Sequence, residues 1–139
     1  MQEDRSQWLA GLLDGDGHFY GRVSDDDGPY RNPRGKVRVR AISLTGILAC
    51  KEVAEMGCIS RMGTTSAGHP YWGWEVSARD DVCRLLEAVE EHLVLRRENA
   101  KTLHALLQTW LEPDEPLTDV VIATRHRLHE KLALLNREV

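Results

Sequence analysis

The chain has 139 residues, 42% of them hydrophobic and 29% charged, with a formal net charge of −4 and three cysteines. These values fit one soluble globular domain, 1–139, with a core of its own, and they do not indicate disorder. No apolar run reaches the length of a membrane span, Cys50, Cys58 and Cys83 are too few and too scattered for a disulfide frame or a zinc site, and the polar start Met1-Gln2-Glu3-Asp4-Arg5 lacks a signal-peptide core. A cytoplasmic protein with no membrane partner is expected. Net negative charge argues against a nucleic-acid partner unless the cations are segregated, and here they are. Arg22, Arg31, Arg34, Lys36, Arg38 and Arg40 fall together against Asp25, Asp26 and Asp27, while other acids gather at Asp80-Asp81, Glu87 to Glu91 and Glu112 to Asp119.

The first predicted element is a helix. Trp8, Leu9, Leu12 and Leu13 follow helical spacing, and Gly11 and Gly15, four apart, form a stripe that a second backbone can approach. Asp14-Gly15-Asp16-Gly17 favours left-handed and turn conformations, which ends the helix there and leaves both acids at its tip. Taken alone, these acids are open to two readings: a plain helix stop, or carboxylates whose repulsion against a second copy calls for a divalent cation.

A strand is predicted over His18 to Ser24, a loop over Asp25 to Gly35 and a second strand over Lys36 to Ile42. In that strand Val37, Val39 and Ala41 face a core while Lys36, Arg38 and Arg40 line the other side. Parity counted from Asp16 selects His18, Tyr20, Arg22 and Ser24 as candidate ligand-facing residues, and Arg34 is grouped with them. A helix over Leu44 to Met56 is broken by Gly57. A second hairpin then runs through Cys58 to Met62 and Tyr71 to Ser77, offering Ser60, Met62, Gly73 and Glu75 to the exposed face, whereas Phe19, Trp74 and Val76 belong to the core.

Ser77 suits the N-cap of a helix over Ala78 to Leu93, with Asp80 and Asp81 at its positive end. Further helices are predicted over Arg97 to Leu111, stopping before Pro113, and over Leu117 to Asn136. On the last helix His126 and His129 lack convergent metal ligands, and with Arg125, Arg127 and Glu130 they read as a solvated face. Trp8, Trp72, Trp74 and Trp110 are assigned to the core or to an interface rim. The order α-β-β-α-β-β-α-α-α describes an α+β fold, a four-stranded antiparallel sheet with helices on one face. The first motif occurs once, so a two-part site needs a twin chain.

Leu9-Ala10-Gly11-Leu12-Leu13-Asp14-Gly15-Asp16-Gly17 closely resembles the defining motif of the LAGLIDADG homing endonucleases. Trp72-Gly73-Trp74-Glu75-Val76-Ser77 and Leu95-Arg96-Arg97-Glu98-Asn99-Ala100 stand at distances the family uses, and the likeness covers about Ser6 to Leu111. The resemblance implies a LAGLIDADG-type α-β-β-α-β-β-α unit with a sheet saddle, followed by C-terminal helices. It implies a homodimer packed along Leu9, Ala10, Gly11, Leu12 and Gly15, seated on double-stranded DNA through His18, Tyr20, Arg22, Ser24, Arg34, Lys36, Arg38 and Arg40. By the same resemblance Asp16 is the metal-binding and catalytic acid, and Gly15 offers the adjacent carbonyl. Mg2+, or Mn2+ or Ca2+ in its place, would activate water for phosphodiester hydrolysis that leaves short 3′ overhangs.

Asp14 is assigned to the turn or to support of the metal from outside. Arg96 falls nearest the family's basic active-site residue, with Arg97 one position away as the alternative and two solvated arginines as the plain reading. Where the family frequently has a Gln at the end of the second strand, this chain has Arg40-Ala41-Ile42-Ser43, so Ser43 or Arg40 would have to serve. Two other functions stay open at this point: a DNA-binding regulator or RNA-splicing helper with weak or no cleavage, and a plain interaction domain.

Overall fold

Helix α1, Glu3–Asp16, forms because Ser6, Leu9, Ala10 and Leu13 recur at three- and four-residue spacing and turn to one side, where all four are buried. The computed structural model describes residues 1–24, 26–28, 31–41 and 43–137. Asp25, Pro29 and Tyr30 of the expected loop and Ile42 at the expected strand end lie outside the described residues. The helix ends within the expected Asp14 to Gly17 stretch, at Asp16, but without the expected left-handed residue, since Gly17 is already extended at φ −80° and ψ 149°. Glycine is needed there for room, since a Cβ on Gly17 would stand 2.7 Å from the Leu13 carbonyl oxygen.

Strands β1 (Gly17–Arg22), β2 (Arg34–Ala41), β3 (Cys58–Thr64) and β4 (Pro70–Val76) make one antiparallel sheet in the order β1-β2-β4-β3. Phe19, Val37, Val39, Trp74 and Val76 are buried on one face, as alternation required. Trp74, wholly buried, donates its indole N–H to the Met56 carbonyl at 2.9 Å. Its ring also explains Gly57, which has a φ of +91° and where a Cβ would stand 2.5 Å from the indole nitrogen. Gly21 and Gly35 lie opposite each other on β1 and β2, and a Cβ on either would come within 2.8 Å of leucine methyls on α4 (Arg97–Leu107). That bare pair lets α4 lie close against the sheet.

Helices α2 (Leu44–Ala54), α3 (Arg79–Val89) and α5 (Asp119–Arg137) complete the layer, with a 3₁₀ turn at Glu90–His92 between α3 and α4. Thus α3 and α4 are shorter than their apolar patterns implied. Ser77 does not cap α3, whose N-cap is Ala78 without a side-chain bond, whereas the Ser43 hydroxyl accepts from Gly46 N–H at 3.2 Å and caps α2. Helix α5 closes the outer edge of β1: Asn136 Nδ2 donates to the Phe19 carbonyl at 2.9 Å, and Asn99 Nδ2 donates to Asn136 Oδ1 at 2.9 Å.

Arg125 corrects the reading of α5 as solvated around its histidines, because its side chain is only 2% exposed. Its guanidinium donates to the Thr109 hydroxyl (3.1 Å) and carbonyl (2.8 Å), the Arg31 carbonyl (2.5 Å) and Asn32 Oδ1 (3.2 Å). Neutral acceptors therefore hold a buried cation, tying the β1–β2 connection to the end of α4. Burial and neighbouring Arg31 lower its pKa. No described helix is long and apolar enough to cross a membrane.

Candidate nucleic-acid interface

Because α1 passes into β1 without a loop, Asp16 is fixed at the helix–strand junction, and its carboxylate is exposed. The last turn of α1 contains Asp14 and Asp16 and no basic residue, so two negative charges sit at the negative end of the helix dipole. Asp14 is compensated. Its carboxylate accepts three backbone N–H groups, from Val94 at 2.8 Å and from Leu95 and Arg96 at 3.0 Å each, and so holds the turn that leads into α4. The turn role expected for Asp14 is replaced by this tertiary one, which no local signal announces. Asp16 has no such donor among the described residues.

Arg96 and Arg97 part company in the fold. Arg97 is exposed and donates to the Glu91 carbonyl at 3.1 Å, while Arg96 is only 6% exposed and its buried Nε has no partner among the described residues. Arg96 lies close enough to His18 to act on it electrostatically. Burial first, then Arg40, Arg96 and Arg38, hold the His18 imidazole below its ordinary pKa, and Asp16 pulls the other way. Asp16, His18, Arg38, Arg40 and Arg96 are thus one electrostatic cluster, assembled from α1, β1, β2 and the head of α4. Ser43, one of the two substitutes for the missing Gln, spends its hydroxyl on α2 instead; Arg40, the other, is exposed.

From this cluster the cationic face runs along the sheet. Register sets His18 opposite Arg38, Tyr20 opposite Lys36 and Arg22 opposite Arg34. The His18 and Tyr20 rings stack at 6.0 Å and 15°, and both Lys36 Nζ and the Arg38 guanidinium lie 5.5 Å from the Tyr20 ring centre. Ser24 does not join them: β1 ends at Arg22, and the Ser24 hydroxyl accepts from Asp26 N–H at 3.2 Å. Beyond Val76 the fourth strand has ended while β2 continues to Arg34, leaving a cleft of about 690 Å³ walled by Tyr20, Lys36, Arg79 and Trp110. The Arg79 guanidinium stacks 4.9 Å from the Trp110 ring centre, a pairing the sequence did not suggest.

On the opposite side of α1 from its core, Gly11 and Gly15 are exposed, and beyond their own stretch of helix no described residue lies within 4 Å of where their Cβ atoms would be. Trp8 is 44% exposed beside this ridge, and Leu12 is half-buried. Leu9 and Ala10 are not on the ridge. Both are wholly buried in the subunit's own core, which corrects their assignment to a dimer contact. Among the described residues no group of three or more His, Cys, Asp and Glu side chains converges on a metal site.

No protein-family model and no curated protein matches this sequence. Solved structures do match in fold. The homing endonuclease I-CvuI, in complex with its target and calcium, superposes with a TM-score of 0.73 at 20% identity, covering 96% of this chain and 82% of that one. The archaeal intron-encoded homing endonuclease I-Vdi141I, complexed with DNA, gives 0.76 at 14% identity over 96% and 86%. The LAGLIDADG meganuclease I-AabMI, bound to uncleaved DNA, gives 0.69 at 19% identity over 91% of this chain but only 44% of its own.

Proposed function

We propose that this chain, which has the fold of the LAGLIDADG homing endonucleases, is a sequence-specific, Mg2+-dependent double-stranded DNA endonuclease that acts as a homodimer and leaves short 3′ overhangs. The observation that carries the reading is the position of Asp16: an exposed carboxylate at the negative end of α1, between a bare glycine ridge and a cationic sheet face. A second α1 packed along Gly11 and Gly15 brings a second Asp16 beside the first. Two copies of this chain also supply a length comparable with that of I-AabMI, of which one copy spans 44%.

The residues fit a hard divalent cation. One carboxylate per chain with the adjacent Gly15 carbonyl is too little to cage a metal alone, which suits Mg2+, an ion that takes few protein ligands and completes its shell with water and phosphate oxygens. Bound there, the cation supplies Lewis-acid stabilisation of the charge that builds on the phosphate and the departing 3′ oxygen. The protein does the rest. Lys36, Arg38, Arg40 and Arg22 seat the backbone and read base edges, and the paired subunits set both strands at the two acids. Arg96 stabilises the phosphate through its guanidinium and, being an arginine, is not suited to shuttle protons.

The test is cleavage of a randomised duplex library in Mg2+, with Asp16→Asn beside the wild type. Retained binding and abolished cutting in the variant support the reading. Wild-type protein that binds one sequence and never cuts would make this a DNA-binding regulator, and absence of binding at low salt would end the nucleic-acid reading altogether.

A further inference from the structure

The four strands contain one carboxylate, Glu75, and it stands on the face that the proposed function gives to DNA. The register puts it directly across from Arg38. Its Oε2 accepts from Arg38 Nε at 2.9 Å and lies 2.8 Å from Arg38 Nη2, with Lys36 Nζ more distant at 4.0 Å. Facing phosphates, an acid here weakens attraction to every duplex alike. Its compensating effect is geometric. Glu75 engages the Nε and Nη2 edge of a guanidinium that also lies over the Tyr20 ring, so a long side chain is held from two sides with Nη1 on the side away from Glu75.

We infer that Glu75 is a specificity-determining positioning residue: it orients Arg38 so that the unoccupied side of the guanidinium bridges the two major-groove acceptors of a guanine, once in each half-site. Arginine makes this bidentate contact through its planar fork, and a fork fixed before binding loses less freedom when the bond forms. Glu75 at the same time subtracts sequence-independent attraction, which lowers affinity for right and wrong sites alike, so the gap between them is set by the orientation of Arg38. The inference rests on the DNA-binding reading above.

The experiment is selection of bound duplexes from a randomised pool by wild type, Glu75→Gln, Glu75→Asp and Arg38→Gln, with affinity for one random-sequence duplex measured at low salt. Wild type is expected to enrich guanine at symmetry-related positions. Glu75→Gln should lose that preference roughly ten-fold while binding the random duplex more tightly, and Glu75→Asp should lose it without the gain. Arg38→Gln should lose the preference and bind the random duplex more weakly, and adding Glu75→Gln to it should cost no further discrimination. A merely structural cross-strand pair would shift thermal stability and leave the selected sequence alone. Undiminished guanine preference in Glu75→Gln, or none in wild type that binds duplex well, overturns this inference alone; wild type that binds no duplex overturns it together with the function it rests on.

Discussion

Asp14 and Arg96 are 82 positions apart, yet the Asp14 carboxylate holds the backbone at the N-cap of α4, accepting the Arg96 N–H at 3.0 Å. The first turn of α4 has no side-chain cap of its own, because Arg96 at the N-cap offers no acceptor. Asp14 instead satisfies the amides of Val94, Leu95 and Arg96 on the approach to the helix, and it fixes the backbone from which the Arg96 side chain departs. Asp14→Ala is expected to lower the unfolding free energy by about 1–3 kcal/mol in urea titrations, with Asp14→Asn intermediate because it keeps an acceptor but not the charge. Cutting should fall with it. An Asp14→Ala protein as stable as wild type would show that solvent serves these amides equally well.

Asp16 predicts the opposite sign from nearly the same place in the helix. Its charge meets the negative end of α1, with no basic residue in the last turn and no donor answering it among the described residues. Asp16→Asn should raise stability by roughly 0.3–1 kcal/mol at low ionic strength, while abolishing cleavage. The contrast between the two acids, read by the same urea titration, is the measurement. Equal losses in both variants would put them in one structural role.

Much of this arrangement is written in short-range pattern. Alternation along Lys36 to Ala41 exposes the cations on one face, and the three- and four-residue spacing in α1 sorts Gly11 and Gly15 from Leu13. Leu9 and Ala10 show where pattern stops: membership of a motif does not reveal which side of the helix meets the chain's own core. The same holds for Asp14, whose partners come from a turn 80 residues away, and for Arg125, whose buried acceptors are backbone groups that carry no sequence identity. Glu75 was visible by parity, but its pairing with Arg38 depends on strand register across a crossover, which the hydrophobic pattern leaves open.

The three thiols should separate by burial. Cys58 is exposed, whereas Cys50 and Cys83 are buried, and burial pushes the Cys50 thiol from 9.0 up to about 11. Only the thiolate reacts with disulfide reagents, so native protein near neutral pH should show one fast thiol, lost in Cys58→Ser, and three after unfolding. The raised pKa also sets a sign for stability. The folded state keeps the Cys50 proton where the unfolded state has begun to release it, so this contribution is complete below pH 9 and declines as the pH rises toward about 11. Cys50→Ala should flatten that alkaline decline in urea titrations, and an unchanged slope would assign it to other groups.

The glycine ridge of α1 separates subunit folding from pairing. Gly11 is exposed in mid-helix with open space where a side chain would stand, so the single chain has no use for glycine at this position. Glycine in a helix interior costs on the order of 1 kcal/mol relative to a good helix former. Gly11→Leu should therefore leave the circular dichroism spectrum intact and raise the stability of the isolated subunit. If two α1 helices approach along this ridge, the leucine fills the space the partner backbone needs, and sedimentation should report a monomer that no longer cuts DNA. A Gly11→Leu protein that still sediments as a dimer would move the contact off this ridge, and one that fails to fold would mean that the subunit's own core reaches Gly11.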